Sequence, residues 1–386
     1  MNILVCNVGS TSLKYKLMTS EEDFQIIRRG GAERIGTELA SFYTLEKGSR
    51  ENYELFPNTY RNAILTMLDK INPASVDCVA FKVVHAKGIT GVRELSVEVL
   101  QAMEDFTDVA PAHNPPYLEA IHLFRDLMPD TALIGSFETG FHSSIPEKAA
   151  LYGIPYEISK KYDIKRYGFH GASHEYMTDY AIKRLNNPDA KLITCHLGGS
   201  GSICAVEKGK SVDTSFGLSL QCGLLQNNRI GDIDPYVIFH LMHHGYTEES
   251  IKEIFEKKSG LLGISGISND VRDLQEAAAA GNRRAQLALE CYAYGIRKYI
   301  GSYLAVLNGC DAIVFGGGIG ERSAVVRKLA LENMNNLSIE LDEKKNESAK
   351  SGEDISKEGS KTGIFVVETD EERIVAQKAY QYLISH

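Results

Sequence analysis

The feature that most constrains the fold is a hairpin that occurs twice. Residues 2–17 read Asn-Ile-Leu-Val-Cys-Asn-Val-Gly-Ser-Thr-Ser-Leu-Lys-Tyr-Lys-Leu: an apolar strand enters a Gly/Ser turn and a second strand leaves it, with Lys14 on the second strand. A similar device returns at 192–206, Leu-Ile-Thr-Cys-His-Leu-Gly-Gly-Ser-Gly-Ser-Ile-Cys-Ala-Val, followed by Asp213-Thr-Ser215. Small residues at such a turn let backbone N–H groups approach a phosphate closely. Ser10, Thr11 and Ser12 add hydroxyls and Lys14 a point charge. One such turn is by itself only a hairpin. Two, each opening one half of the chain, predict a duplicated α/β architecture with a phosphate-binding turn in each copy. Neither is a Walker A loop, because no Gly-Lys-Ser/Thr follows the glycines.

A length of 386 residues allows two domains at roughly 150 residues each. A net charge of −9 argues against nucleic acid as a partner. No long apolar run is present, so neither a membrane span nor a signal peptide is expected, and a cytoplasmic location is. The seven cysteines include no C-x-x-C pair, and Cys6, Cys78 and Cys195 lie in or beside apolar strands. Buried reduced thiols are expected there, and zinc is not.

Along the first half, the polar stretch 20–52 carries weak strand signals. Helical spacing marks 57–71, 97–109 and 117–127, and apolar strands mark 76–85 and 131–137. In the second half, 235–244 and 248–257 read as helices, 268–270 as an N-cap region, and 283–307 as a long amphipathic helix. Residues 310–321 read as a strand running into a glycine turn that lets a nucleotide lie against backbone. The G-x-G-x-x-G phase and the later acidic residue of a dinucleotide site are absent. The segment 341–361 is expected to be exposed connections, 364–368 a strand and 371–384 a final helix.

Over nearly its whole length the chain resembles the acetate kinase family, within the sugar-kinase, Hsp70 and actin-like phosphotransferases. The resemblance rests on Asn7-Val-Gly-Ser-Thr-Ser-Leu-Lys14, Val83-Val-His85, Ala110-Pro-Ala-His-Asn-Pro115, Arg166-Tyr-Gly-Phe-His-Gly-Ala-Ser-His174, Cys195-His-Leu-Gly198, Arg229-Ile-Gly-Asp-Ile-Asp-Pro235, Lys258-Ser-Gly-Leu-Leu-Gly-Ile-Ser-Gly266, Ser268-Asn-Asp-Val-Arg-Asp273, Gly318-Ile-Gly-Glu321 and Thr369-Asp-Glu-Glu372. It implies two ribonuclease-H-like α/β domains around a nucleotide cleft, 1–149 with 371–386 and 150–370, in a homodimer. It also implies reversible, Mg²⁺-dependent transfer of the γ-phosphoryl of ATP to a short carboxylate, giving ADP and an acyl phosphate.

The residues carried over by the resemblance fall into four groups. Glu138, His170, Arg229, His113 and Lys82 are the catalytic set; read alone, each histidine is a turn residue. Val84, Ala112, Phe169 and Leu220 face the acid. Ser10, Ser12, Lys14, His196, Gly198, Gly199, Asp270, Val271, Arg272, Gly318 and Ile319 face the nucleotide. Asn7 and Glu371 serve the metal; read alone, Glu371 is a carboxylate favoured at a helix N-terminus.

Departures from the family pattern fall in the site. Lys82 stands for arginine, Glu138 for aspartate, Gly199-Ser200 for Asn-Gly, Gln226-Asn227-Asn228 for Met-Gly-Thr, Ala112 for leucine and Leu220 for proline. Three functions stay open: a kinase for acetate or a close relative, a kinase for a larger or more polar acid, and a nucleotide-binding regulatory paralogue with weak activity.

Overall fold

The computed structural model describes residues 1–46 and 49–386. The chain divides into two compact units, Met1–Ser143 with Asp370–His386, and Ser144–Thr369. Each contains one β-sheet among the described residues.

The first unit carries β1 (Asn2–Gly9), β2 (Ser12–Thr19), β3 (Gln25–Glu33), β4 (Ser41–Glu46), β5 (Ser49–Glu54), β6 (Cys78–Val83), β7 (Val92–Glu94) and β8 (Ala132–Phe137). Their order in the sheet is β5-β4-β3-β2-β1-β6-β8-β7. β1 is central, antiparallel to β2 and parallel to β6. Ile3, Leu4, Val5 and Cys6 are all fully buried. A strand covered on both faces reads as an unbroken apolar run, which is why β1 was legible. On β2, exposed Lys14 alternates with buried Leu13 and Tyr15, as a half-buried strand requires. The weak strand signals of the polar stretch 20–52 correspond to β3, β4 and the start of β5. β5 lies at the sheet edge with five of its six residues exposed, so apolar alternation is absent where the strand has only one neighbour.

The second unit carries β9 (Lys191–Leu197), β10 (Gly201–Glu207), β11 (Lys210–Thr214), β12 (Ala312–Gly316) and β13 (Gly363–Val366), ordered β11-β10-β9-β12-β13. The helix Arg283–Leu307 matches its expected bounds. Asn282 caps it by accepting from the N–H groups of Arg284 and Ala285, and Asn308 ends it in the left-handed region at φ 56°. Ala285, Ala288, Leu289, Tyr292, Ile296, Ile300, Tyr303 and Leu307 form its buried stripe.

Two expectations are corrected. The glycines after β12 form no turn: the helix Gly317–Arg322 begins at once. Gly317 has φ +74°, and a Cβ there would stand 2.7 Å from the Leu197 carbonyl oxygen. Close packing against β9, not looseness, selects glycine. The segment 341–361 is not only exposed connection, since it contains the helix Glu343–Ser348 and buries Asn346 and Ile355. The helix Gly171–Leu185 was not expected at all. Its buried face includes Gly171, Ser173, His174 and Thr178, and such a face gives little hydrophobic periodicity.

Candidate functional site

In the first unit the β1–β2 hairpin pairs Asn7 with Lys14 and Gly9 with Ser12, which leaves Ser10 and Thr11 as the turn. Ser10 and Lys14 are exposed, and Ser12 is partly buried. Behind the turn, the Tyr117 hydroxyl donates to Asn7 Oδ1 and accepts from the Val8 N–H, each at 3.2 Å. Tyr117 comes from the helix Asn114–Leu127, which begins earlier than its spacing indicated because Pro115 and Pro116 fit a first helical turn. His113 is the N-cap residue of that helix rather than part of a free turn. Ala112 is exposed just before it, whereas Val84, just after β6, is buried.

Lys82, near the end of β6, lies between two carboxylates. Its Nζ is 2.6 Å from Glu371 Oε2 and 3.4 Å from Glu138 Oε1. Burial alone would lower the pKa of this ammonium. Glu138 and Glu371, with Tyr117, outweigh that and hold it well above the usual lysine value. Glu371 opens the helix Glu371–Ser385, as its reading as an N-terminal carboxylate anticipated. Next to it, Lys16 pairs with Asp370 at 3.0 Å and Glu372 at 3.3 Å.

In the second unit, His170 is the N-cap of the helix Gly171–Leu185, at φ 58° and ψ 30°. A non-glycine residue is uncommon in this region, and such strain is often kept at working sites. His170 Nδ1 is 2.8 Å from Ser202 Oγ. The same hydroxyl is 2.8 Å from His174 Nε2, and His174 Nδ1 is 2.7 Å from Thr194 Oγ1. His196 Nδ1 is 2.6 Å from Ser173 Oγ, and its ring centroid is 4.1 Å from that of His170. His174 and Ser173 lie inside the Gly-Phe-His-Gly-Ala-Ser-His motif without being singled out; their spacing from His170 on one helix was the available signal. Ser202 and Thr194, on β10 and β9, had none. Phe169 packs edge-on against Phe216, centroids 5.8 Å apart.

Arg229 is half-buried. Its Nη1 donates to Ser200 Oγ and to Gln226 Oε1, each at 3.3 Å. Burial lowers its pKa from the usual value, and Glu256 opposes that shift. Leu220 meets this group through its carbonyl oxygen, which accepts from Gln226 Nε2 at 2.8 Å.

A cavity of about 340 Å³ in the second unit gathers residues from four separated segments. Gly198 and Gly199 come from the β9–β10 hairpin, Asp270, Val271 and Arg272 from a helix start, and Gly318 and Ile319 from the glycine helix. All seven are nucleotide-side candidates named from sequence. Asn227, Gln275, Arg322 and Ser323 also line it and were not anticipated. Asp270 caps the helix Val271–Ala279 and chelates Arg272 at 2.6 Å, and these hydrogen bonds hold its carboxyl below the usual range. The volume lies within the range of small-molecule sites.

Comparison with known proteins agrees with this picture. The Acetokinase family matches residues 2–377. An acetate kinase of Natranaerobius thermophilus is 42% identical over 98% of both chains. The crystal structure of Porphyromonas gingivalis acetate kinase superposes with a TM-score of 0.90 at 34% identity, covering 99% of each chain. A propionate kinase from Francisella tularensis superposes with a TM-score of 0.92 at 33% identity, covering 98% of each.

Proposed function

The chain belongs to the acetokinase family, and from that membership we propose that it transfers the γ-phosphoryl group of ATP to a short-chain carboxylate, acetate or a close relative. A carboxylate oxygen forms a bond to the γ-phosphorus as the bond to the β–γ bridging oxygen breaks. The products are an acyl phosphate and ADP, and the reaction runs in both directions. The observation that carries the reading is a cavity that assembles seven nucleotide-side candidates from three separated parts of the chain.

Such a transfer asks the protein for positioning and for positive charge around the equatorial oxygens. We assign that charge to Arg229 and His170, with His113 orienting the phosphoryl group. His196 and the hairpin residues Ser10, Ser12 and Lys14 face the phosphates. Glu138 and Lys82 orient the acid and the transferring group, and Val84, Ala112, Phe169 and Leu220 contact the acid's alkyl part. We read the two compact units as the two domains of this fold.

Mg²⁺ fits the donors present. Magnesium takes hard oxygens and is held by one or two carboxylates plus substrate phosphates rather than by an all-protein cage. We assign the hold on the ion to Glu371, whose Oε2 also meets Lys82 Nζ at 2.6 Å, and to Asn7, whose Oδ1 also accepts from the Tyr117 hydroxyl at 3.2 Å, together with the substrate phosphates. When bound, the ion supplies neutralisation of phosphate charge.

A homodimer is supported by the helix Tyr236–His243, which buries none of its residues and exposes Tyr236, Phe239 and Met242. Among the described residues no helix is long and apolar enough to cross a membrane. A cytoplasmic setting suits seven cysteines that form no disulfide among the described residues.

The test is turnover with ATP, Mg²⁺ and hydroxylamine over a panel of acids from formate to butyrate, trapping acyl phosphates as hydroxamates. Hydroxamate from acetate or propionate is the expected product. Mg·ADP binding with no hydroxamate from any acid would leave the regulatory reading in its place.

A further inference from the structure

In the second unit the β9–β10 hairpin meets the segment 226–229. The Asn227 N–H donates to the Gly199 carbonyl oxygen at 3.3 Å, and a Cβ at position 199 would stand 3.5 Å from Asn227 Nδ2. The Asn227 carboxamide is thus set directly against the hairpin. Ser200 Oγ donates to Gln226 Oε1 at 2.8 Å, and Arg229 Nη1 donates to both oxygens. Gln226 is 1% exposed and wholly committed. Its Nε2 donates to the Leu220 carbonyl oxygen, its N–H donates to the Arg229 carbonyl oxygen at 3.1 Å, and its own carbonyl oxygen accepts from the Leu261 N–H at 2.8 Å.

We propose that Gln226 and Ser200 are positioning residues that aim the Arg229 guanidinium at the transferring phosphoryl group, and that Gln226 ties this aim to the Leu220 segment on the acid side. The inference rests on the role given to Arg229 above. Its physical basis is the kind of partner. A carboxylate would orient a guanidinium equally well, but it would cancel its charge and compete with a phosphate. Two neutral oxygens orient it and leave the charge to act. They engage Nη1 alone, so Nε and Nη2 of the planar fork remain for an anion.

The experiment compares Arg229→Ala, Gln226→Met, Gln226→Glu, Ser200→Ala and Ser200→Thr by hydroxamate kinetics, with Mg·ADP affinity measured by calorimetry. Gln226→Met and Ser200→Ala should each lower kcat about tenfold with unchanged nucleotide affinity, since small misplacements of a charge-stabilising group act on rate. Ser200→Thr, which keeps the hydroxyl, should stay within about twofold of the parent. Gln226→Glu places a carboxylate against Arg229, so its kcat should rise toward the parent as acidification neutralises that carboxylate, a change in pH profile that packing loss alone would not produce. Parental kcat in both Gln226→Met and Ser200→Ala, with Arg229→Ala crippled, overturns the clamp and leaves the role of Arg229 standing. Parental kcat in Arg229→Ala overturns both. If Gln226→Met does not fold, the Ser200→Ala and Ser200→Thr pair decides: equal rates overturn the clamp.

Discussion

The two units use one scaffold and hold Lys82 and Arg229, a candidate site cation in each, by different partners. In the first, β3-β2-β1 run antiparallel and β6 and β8 continue in parallel; in the second, β11-β10-β9 are followed by β12 and β13 in the same manner. The likeness reaches single residues. Cys6 on β1 is in register with Phe81 on the neighbouring parallel strand, and Cys195 on β9 with Phe315. The next residue, at the rim of the sheet, is Asn7 in one unit and His196 in the other. A helix side chain meets each, the Tyr117 hydroxyl and the Ser173 hydroxyl. The cations then diverge. Lys82 and Lys16 are paired with carboxylates, whereas Arg229 is held by a serine and a glutamine oxygen. Carboxylates within hydrogen-bond reach hold the lysines, and neutral oxygens hold the arginine.

The strongest test of this contrast is Arg229→Ala. It should lower kcat by roughly 10²–10³, the scale of losing one charge-stabilising donor, with little change in melting temperature. A rise confined to the KM of the acid would make Arg229 a ground-state binder instead.

Its counterpart is Lys82→Met, which leaves two carboxylates facing each other without their cation. We expect a loss of about 2–4 kcal/mol in urea unfolding, since removing one partner of a largely buried ion pair strands the other. The pH dependence follows from the raised lysine value. A base whose folded pKa exceeds its unfolded value stabilises fully below the unfolded value, near 10.5, and loses that contribution as pH rises through the folded value. The gap between parent and variant should therefore be level from about pH 7 to 10 and shrink above. Equal stabilities at pH 7 would erase the distinction between the units.

A smaller effect is expected at Ala112, which is exposed and carries only a methyl side chain. Ala112→Leu should shift preference toward acetate over propionate by roughly tenfold in kcat/KM, the value of one methylene in an apolar pocket. An unchanged ratio would remove Ala112 from the acid site. The smallest effect is on thiol reactivity, where the units should agree. Cys6 and Cys195 are fully buried and burial pushes both thiols up; Cys78 and Cys204 are pushed up to about 12. A thiol-exchange reagent at pH 8 should leave these four unmodified until denaturant is added, while Cys291, partly exposed, reacts in the native protein.

The glycine, Asp270 and Arg272 lining of the cavity was named only through the resemblance to a family. The sequence by itself determined both hairpins, the central strands β1 and β9 and the helix Arg283–Leu307. Each is written locally, as an apolar run, a 3.6-residue stripe, a cap or a turn, so it is legible without knowing the neighbours. The tertiary structure alone decided that Lys82 lies between Glu138 and Glu371, residues 56 and 289 positions away. It alone joined His170 to His174 through Ser202, and Gln226 to Ser200 around Arg229. It also packed polar Gly171–Leu185 as a helix where no apolar period announced one. The reason is physical: burial repeats with the backbone and leaves a period in the sequence, whereas a buried polar atom needs one partner at about 3 Å, and the fold can bring that partner from anywhere in the chain.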